Sequence, residues 1–168
     1  MMFDLKLNGT IKLIYDPQAS FILEKDYWYL DEDIHIELRS GNKKLEFTIL
    51  RGFLTDGTSV SKLLHALIPV WDKNTSGVVI HDWLCNNPVV IINGSLTELA
   101  REDVDKIFLN VMKLNGVSKI RRTLMYAGVR AYVLFGIKKD RNLLVRKQSL
   151  EEEIRKRLNG CSSKCKCA

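Results

Sequence analysis

The hydrophobic period of this chain changes once, near residue 59, and that change limits what the chain can fold into. Before it, apolar residues alternate with polar ones, the two-residue period of half-buried strands. Phe3-Leu5-Leu7, Ile11-Leu13-Tyr15, Ile34-Ile36-Leu38 and Leu45-Phe47-Ile49 all follow it. Asn8-Gly9 reads as a hairpin turn between the first two runs, and Ser40-Gly41-Asn42 as a turn between the last two. Asp16-Pro17 breaks the chain, and the aromatic and β-forming residues of 20–30 read as a further strand. The expectation is an amino-terminal antiparallel sheet of four or five strands.

After residue 59 the period becomes helical. Val60 to Ile68 reads as a short helix ended by Pro69. Asn74-Thr75-Ser76 offers caps for a helix from Gly77 to Cys85, stopped by Asn86-Asn87-Pro88. Ser95-x-x-Glu98 has the form of a capping box before a helix whose apolar face is Leu99, Val104, Ile107, Phe108, Val111 and Met112. Asn115-Gly116 closes it, and Ser118 caps a helix predicted to bury Ile120, Leu124, Ala127, Ala131 and Phe135. A last helix starts at Ser149-x-x-Glu152 and carries Leu150, Ile154 and Leu158 as its few anchors, a pattern for weak docking or an assembly contact. Strands followed by helices imply an α+β fold with the helical half packed on the sheet. Residues 1–137 read as one domain, and 138–168 as a basic extension with a helix and a cysteine-containing tail.

The 46% hydrophobic and 27% charged composition excludes wholesale disorder. Charge is uneven: residues 1–112 carry −5 and residues 113–168 carry +11. Such an end attracts nucleic acid, anionic lipid or an acidic partner, or is a solvated helical face. Zinc-finger spacing and RNP aromatics are missing, so nucleic-acid binding stays open on charge alone. The most apolar stretch, Leu124 to Ile137, contains Arg130 and is too short to span a bilayer. Asp4 and Lys6 fall where a signal peptide needs an apolar run. Cys161, Cys165 and Cys167 cluster at the end without the four ligands of a structural zinc site.

Three segments could carry chemistry: Thr55-Asp56-Gly57-Thr58-Ser59, His81-Asp82-Trp83-Leu84, and Asp103 to Phe108. His81 and Asp82 sit in an otherwise apolar helix, where charged groups need a partner or a metal. Neighbours on a helix diverge by about 100°, so the two serve different sites or different sides of one cleft. Asp105 lies at the margin of its apolar face and reaches His81 if the helices pack, whereas Asp103 points further round. A carboxylate on one imidazole nitrogen leaves the other as a base. A hard cation on Asp56 and Asp82 would polarise a nearby oxygen. The other reading of the same residues is a turn and a buried hydrogen-bonded pair.

The motif order Phe-Leu-Thr-Asp-Gly-Thr-Ser-Val (53–60), His-Asp-Trp-Leu (81–84), Asp-Lys-Ile-Phe-Leu (105–109), Gly-Val (116–117) and Arg-Arg-Thr-Leu-Met-Tyr-Ala-Gly-Val-Arg (121–130) resembles a family of tailed phages and prophages, a domain of unknown function. The likeness runs from residue 3 to about 136, with Ser61 where the family often has Pro. It implies a phage-type protein of the host cytoplasm or the virion. Asp-Gly-x-Ser, His-Asp and Asp-x-x-Phe are also similar to the compact bacterial and fungal phospholipases A2. That similarity implies His81 as general base, Asp105 as its orienting carboxylate, and Asp56 and Asp82 as ligands of Ca2+. The chain lacks their cysteine pairs and adds an amino-terminal sheet.

Two functions compete. One is a metal-assisted His/Asp hydrolase acting on a lipid or envelope component. The other is a non-enzymatic phage protein, virion- or tail-associated, an assembly factor or an inhibitor of a host process, with phage or host proteins as partners. Exposure of His81 at a pocket lined by the acids separates them, since a structural network seals it.

Overall fold

The computed structural model describes residues 4–57, 73–134 and 141–164. The expected helix at 60–68, Phe135, and Cys165 and Cys167 lie outside them. Eight strands and five helices are described: β1 (Asp4–Asn8), β2 (Leu13–Tyr15), α1 (Pro17–Ile22), β3 (Trp28–Leu30), β4 (Ile34–Ser40), β5 (Lys43–Ile49), β6 (Leu54–Thr55), α2 (Thr75–Asn86), β7 (Val89–Ile92), β8 (Ser95–Glu98), α3 (Arg101–Leu114), α4 (Lys119–Leu134) and α5 (Arg141–Lys164). The fold is α+β, as the change of period implies.

The strands form two sheets. The larger has the order β1-β4-β5-β7-β8 and the smaller β2-β3-β6. The β4–β5 hairpin is the one the sequence marks: Ser40 pairs with Lys43 around Gly41-Asn42, and Gly41 has φ +57°. Its inward residues Ile34, Ile36, Leu38, Phe47 and Ile49 are buried against Val79, Ile80 and Leu84 of α2.

Four expectations are corrected. Asn8-Gly9 does not join a hairpin, because β1 pairs with β4 and β2 with β3. The chain passes there from one sheet to the other. Residues 17–22 are helical, not part of a strand, because the Asp16 carboxylate accepts the Ala19 N–H at 2.8 Å and Pro17 occupies the first helical position. Ser95-x-x-Glu98 is strand β8, paired to β7 around Asn93 (φ +49°) and Gly94 (φ +85°). Both turn residues are left-handed, the geometry of a two-residue hairpin, and α3 starts later, with Ala100 at its N-cap. Finally, α5 starts at Arg141, so Ser149 and Glu152 lie inside it.

The rotation of α4 also differs. Met125 is fully buried and Val129 packs with it against Val78, Phe108 and Met112, while Ile120 is 77% exposed and Leu124 also faces out. The same face delivers Arg130 to the buried carboxylate of Asp105 on α3. In a separate cluster, Leu150 and Ile154 of α5 are buried with Ala19, Leu23, Tyr27 and Leu54. Among the described residues no helix is long and apolar enough to cross a membrane.

Candidate functional site

Helix α2 turns His81 and Asp82 to different places, as their angular separation requires. His81 faces α3. Its Nε2 lies 2.9 Å from Oδ1 of Asp105, whose side chain is completely buried. Asp105 Oδ1 also accepts from Arg101 Nε at 3.0 Å, and Oδ2 from Arg130 Nη1 at 3.2 Å. A buried carboxylate requires such partners, and α2, α3 and α4 each supply one. Burial alone would raise the Asp105 carboxyl, but the His81 bond and the Arg101 charge hold it below its ordinary value. His81 is 7% exposed, and its ring lies 4.7 Å from that of Phe108. Cys85 Sγ is 3.8 Å from Nδ1 and 3.6 Å from Nε2. Burial opposes the charge on the imidazole, yet the Asp105 bond, with Cys85 and Asp82, raises it to about 9. Asp103 is exposed on the far side with Lys106.

Asp82 faces the smaller sheet. Its Oδ2 accepts from Thr55 Oγ1 at 2.6 Å, and Thr55 Oγ1 in turn accepts the Gly57 N–H at 3.3 Å. Burial and the neighbouring charge of Asp56 push the Asp82 carboxyl above its ordinary range, against the opposing charge of Lys147. Asp56 is paired with Lys25. Lys147 Nζ stands 4.6 Å over the Phe53 ring and 3.8 Å from Glu151. Glu151 Oε1 takes the Leu54 N–H at 3.0 Å, and burial raises its carboxyl despite Lys147 and Arg155. Tyr27 is raised in the same way, by burial and then by Asp56, Asp82 and Glu151.

The structure therefore brings His81 to Asp105 and Asp82 to Asp56, as two clusters on two sides of α2. Thr55 and Arg130 lie within segments the sequence marks, without a role assigned to them, whereas Arg101, Lys25, Tyr27, Lys147 and Glu151 are not marked by it. Arg101 was legible as the i,i+4 partner of Asp105. The others meet only through the tertiary fold.

The sequence profile of DUF1353, described as a protein family of unknown function, matches residues 28–129. The chain belongs to this family. The DUF1353 segment runs from β3 to within α4 and holds His81, Asp82, Asp56, Asp105 and Arg101, whereas Arg130 lies one residue beyond it. Lys25, Tyr27, Lys147 and Glu151 also lie outside the segment. No curated protein matches the chain, and no solved structure matches it.

Proposed function

We propose that this DUF1353 protein is a non-enzymatic phage-type component, an assembly protein or an inhibitor of a host process, in which His81 and Asp105 form a structural ionic lock. The observation that carries this reading is the saturation of Asp105. Three cationic or potentially cationic side chains converge on one buried carboxylate. A general base must present a free lone pair to substrate near its working pH. His81 holds its proton up to about pH 9 and is 7% exposed, so both its charge and its burial suit a lock joining three helices. The motif order supports the phage assignment. Lys147, Arg155 and Arg157 of the basic half are engaged with Glu151, the Arg51 carbonyl and Asp16, which gives these three cations a structural role within the fold.

A second reading is the hydrolase, with Asp56 and Asp82 holding Ca2+. It is favoured by the charge of Asp56, which adds to the cost of the charge on Asp82. The donor set does not fit well. Calcium takes about six to eight oxygens, Lys25 already neutralises Asp56, and no three His, Cys, Asp or Glu among the described residues converge as a metal site. No step is routed through the ion.

Incubation of the full chain with mixed phospholipid vesicles, in calcium or in chelator, tests both readings. The expected result is no release of fatty acid, together with a lowered melting temperature for His81→Gln. Calcium-dependent release that is lost in His81→Gln, with its melting temperature unchanged, would overturn the lock and establish the hydrolase.

A further inference from the structure

We infer that the outward side of α4 is a docking seam for an acidic amphipathic helix of a partner protein. Ile120, Leu124, Ala127, Ala131 and Leu134 follow one another at intervals of four, three, four and three residues, the spacing of the a and d positions of a coiled coil. At about 100° per residue they share one face of α4. That face is turned away from Met125 and Val129, which pack with Val78, Phe108 and Met112. Ile120 is 77% exposed, Leu124 42% and Leu134 76%, while Ala127 is exposed and Ala131 half-buried. A helix with an apolar seam on each of two sides needs a partner on each, and the fold covers the inner one.

Charge names the occupant. Residues 106–134 hold six Lys/Arg and no Asp or Glu. Lys119, Arg121 and Arg122 stand in the first turn of α4, which has no acidic residue, although the positive end of the helix dipole favours acids there. By the same angular count, Lys119 and Arg121 flank the seam on its two sides. An acidic helix offsets this clustered charge while its apolar face takes the seam, the mode in which an amphipathic helix docks through anchors at i, i+3, i+4 and i+7. A second copy of α4 would set cations against cations. A lipid surface gains from bulky apolar groups, whereas the middle of this seam is Ala127 and Ala131, small side chains that let a second helix approach closely. None of Ile120, Leu124, Ala127, Ala131 and Leu134 belongs to the lock around Asp105. The inference goes beyond the non-enzymatic reading and fails or holds separately from it, because release of fatty acid from vesicles has no bearing on the seam.

Fluorescence anisotropy with the full chain tests it, using a labelled three-heptad peptide that has Leu at its a and d positions and Glu at e and g. The controls are the same peptide with Lys at e and g, and a shuffled peptide of the first one's composition. The Glu peptide should bind, and the double variant Ile120→Ser, Leu124→Ser should weaken it about tenfold or more at an unchanged melting temperature. Lys119→Glu, at an exposed position outside the core, should weaken it about threefold at low salt and less at high salt, a readout that does not depend on the double variant folding. No binding of the Glu peptide overturns the inference, as does equal binding of the Lys or the shuffled peptide, or an affinity that Lys119→Glu leaves unchanged. Sedimentation velocity showing a dimer that is lost in the double variant gives the seam to a second copy and overturns it. Vesicles of phosphatidylserine and phosphatidylcholine that bind the wild type but not the double variant give the seam to a membrane and also overturn it.

Discussion

Glu151 Oε1 accepts the backbone N–H of Leu54 at 3.0 Å, joining α5 to β6 across 97 positions of sequence. β6 has only two residues and its Leu54 is fully buried, so this amide depends on the glutamate for its partner. Glu151→Ala should destabilise the protein by about 1–3 kcal/mol through the unsatisfied buried donor. Glu151→Gln, which keeps an acceptor oxygen, should cost less. Urea midpoints at constant m-value give the comparison.

The ionic lock makes stability depend on pH in a defined direction. His81 has its pKa raised from 6.5 to about 9, so its contribution is complete below 6.5 and is lost as pH rises through 9. Asp105 is held below 3.8, so its contribution is complete above 3.8 and is lost as pH falls through its lowered value. Melting temperature should therefore fall from pH 7 to pH 9.5, and His81→Gln should flatten that fall. Asp105→Asn should cost about 3 kcal/mol at neutral pH, because it leaves the cations of the lock without their anion.

Asp82 predicts the opposite sign. Burial and Asp56 disfavour its charged form, so at neutral pH ionised Asp82 subtracts from stability. Asp82→Asn keeps an acceptor for Thr55 Oγ1 and removes the repulsion. It should raise the melting temperature at pH 7, with a gain that shrinks toward acid pH as the native carboxyl protonates. A residue that costs stability is a mark of retained function, which makes this variant informative in any assay of partner binding.

The two faces of α4 are separable by substitution. Met125 is fully buried and Ile120 is 77% exposed. Met125→Ala should cost about 2–5 kcal/mol as a large-to-small change in the core. Ile120→Ala should stay within about 0.5 kcal/mol. Equal effects would return α4 to the orientation its apolar stripe suggests.

Local patterns carried much of this molecule. The alternation of β4 and β5, their Gly41-Asn42 turn, the extent of α2, the apolar face and end of α3, and the approach of Asp105 to His81 were all legible from period and spacing. Where local signals competed, the tertiary one decided. Ser95 and Glu98 have the residue types of a capping box, but Asn93-Gly94 two residues earlier is a hairpin turn, and pairing with β7 prevailed. On α4 the stripe that packs is Met125 and Val129, which sits beside the Arg130 contact with Asp105, in place of the Ile120-Leu124 stripe expected from period. The cluster around Asp82 was only half visible. Lys147 and Glu151 reach it from a helix more than sixty positions away, beyond the range of any helical or strand repeat.

The contact of Arg157 with Asp16, 2.9 Å long and spanning 141 positions, bears on when the protein can form. The cap of α1 shares its carboxylate with a residue of α5, and Leu54 and Tyr27 wait for Leu150 and Ile154 to be covered. Contacts of such separation form late and slow folding. During synthesis the larger sheet can close once α2 has followed it, whereas Tyr27 and Leu54 of the smaller layer stay bare until α5 arrives. A nascent chain that stalls before α5 thus exposes Leu54 and Tyr27 and is a substrate for chaperones and proteases.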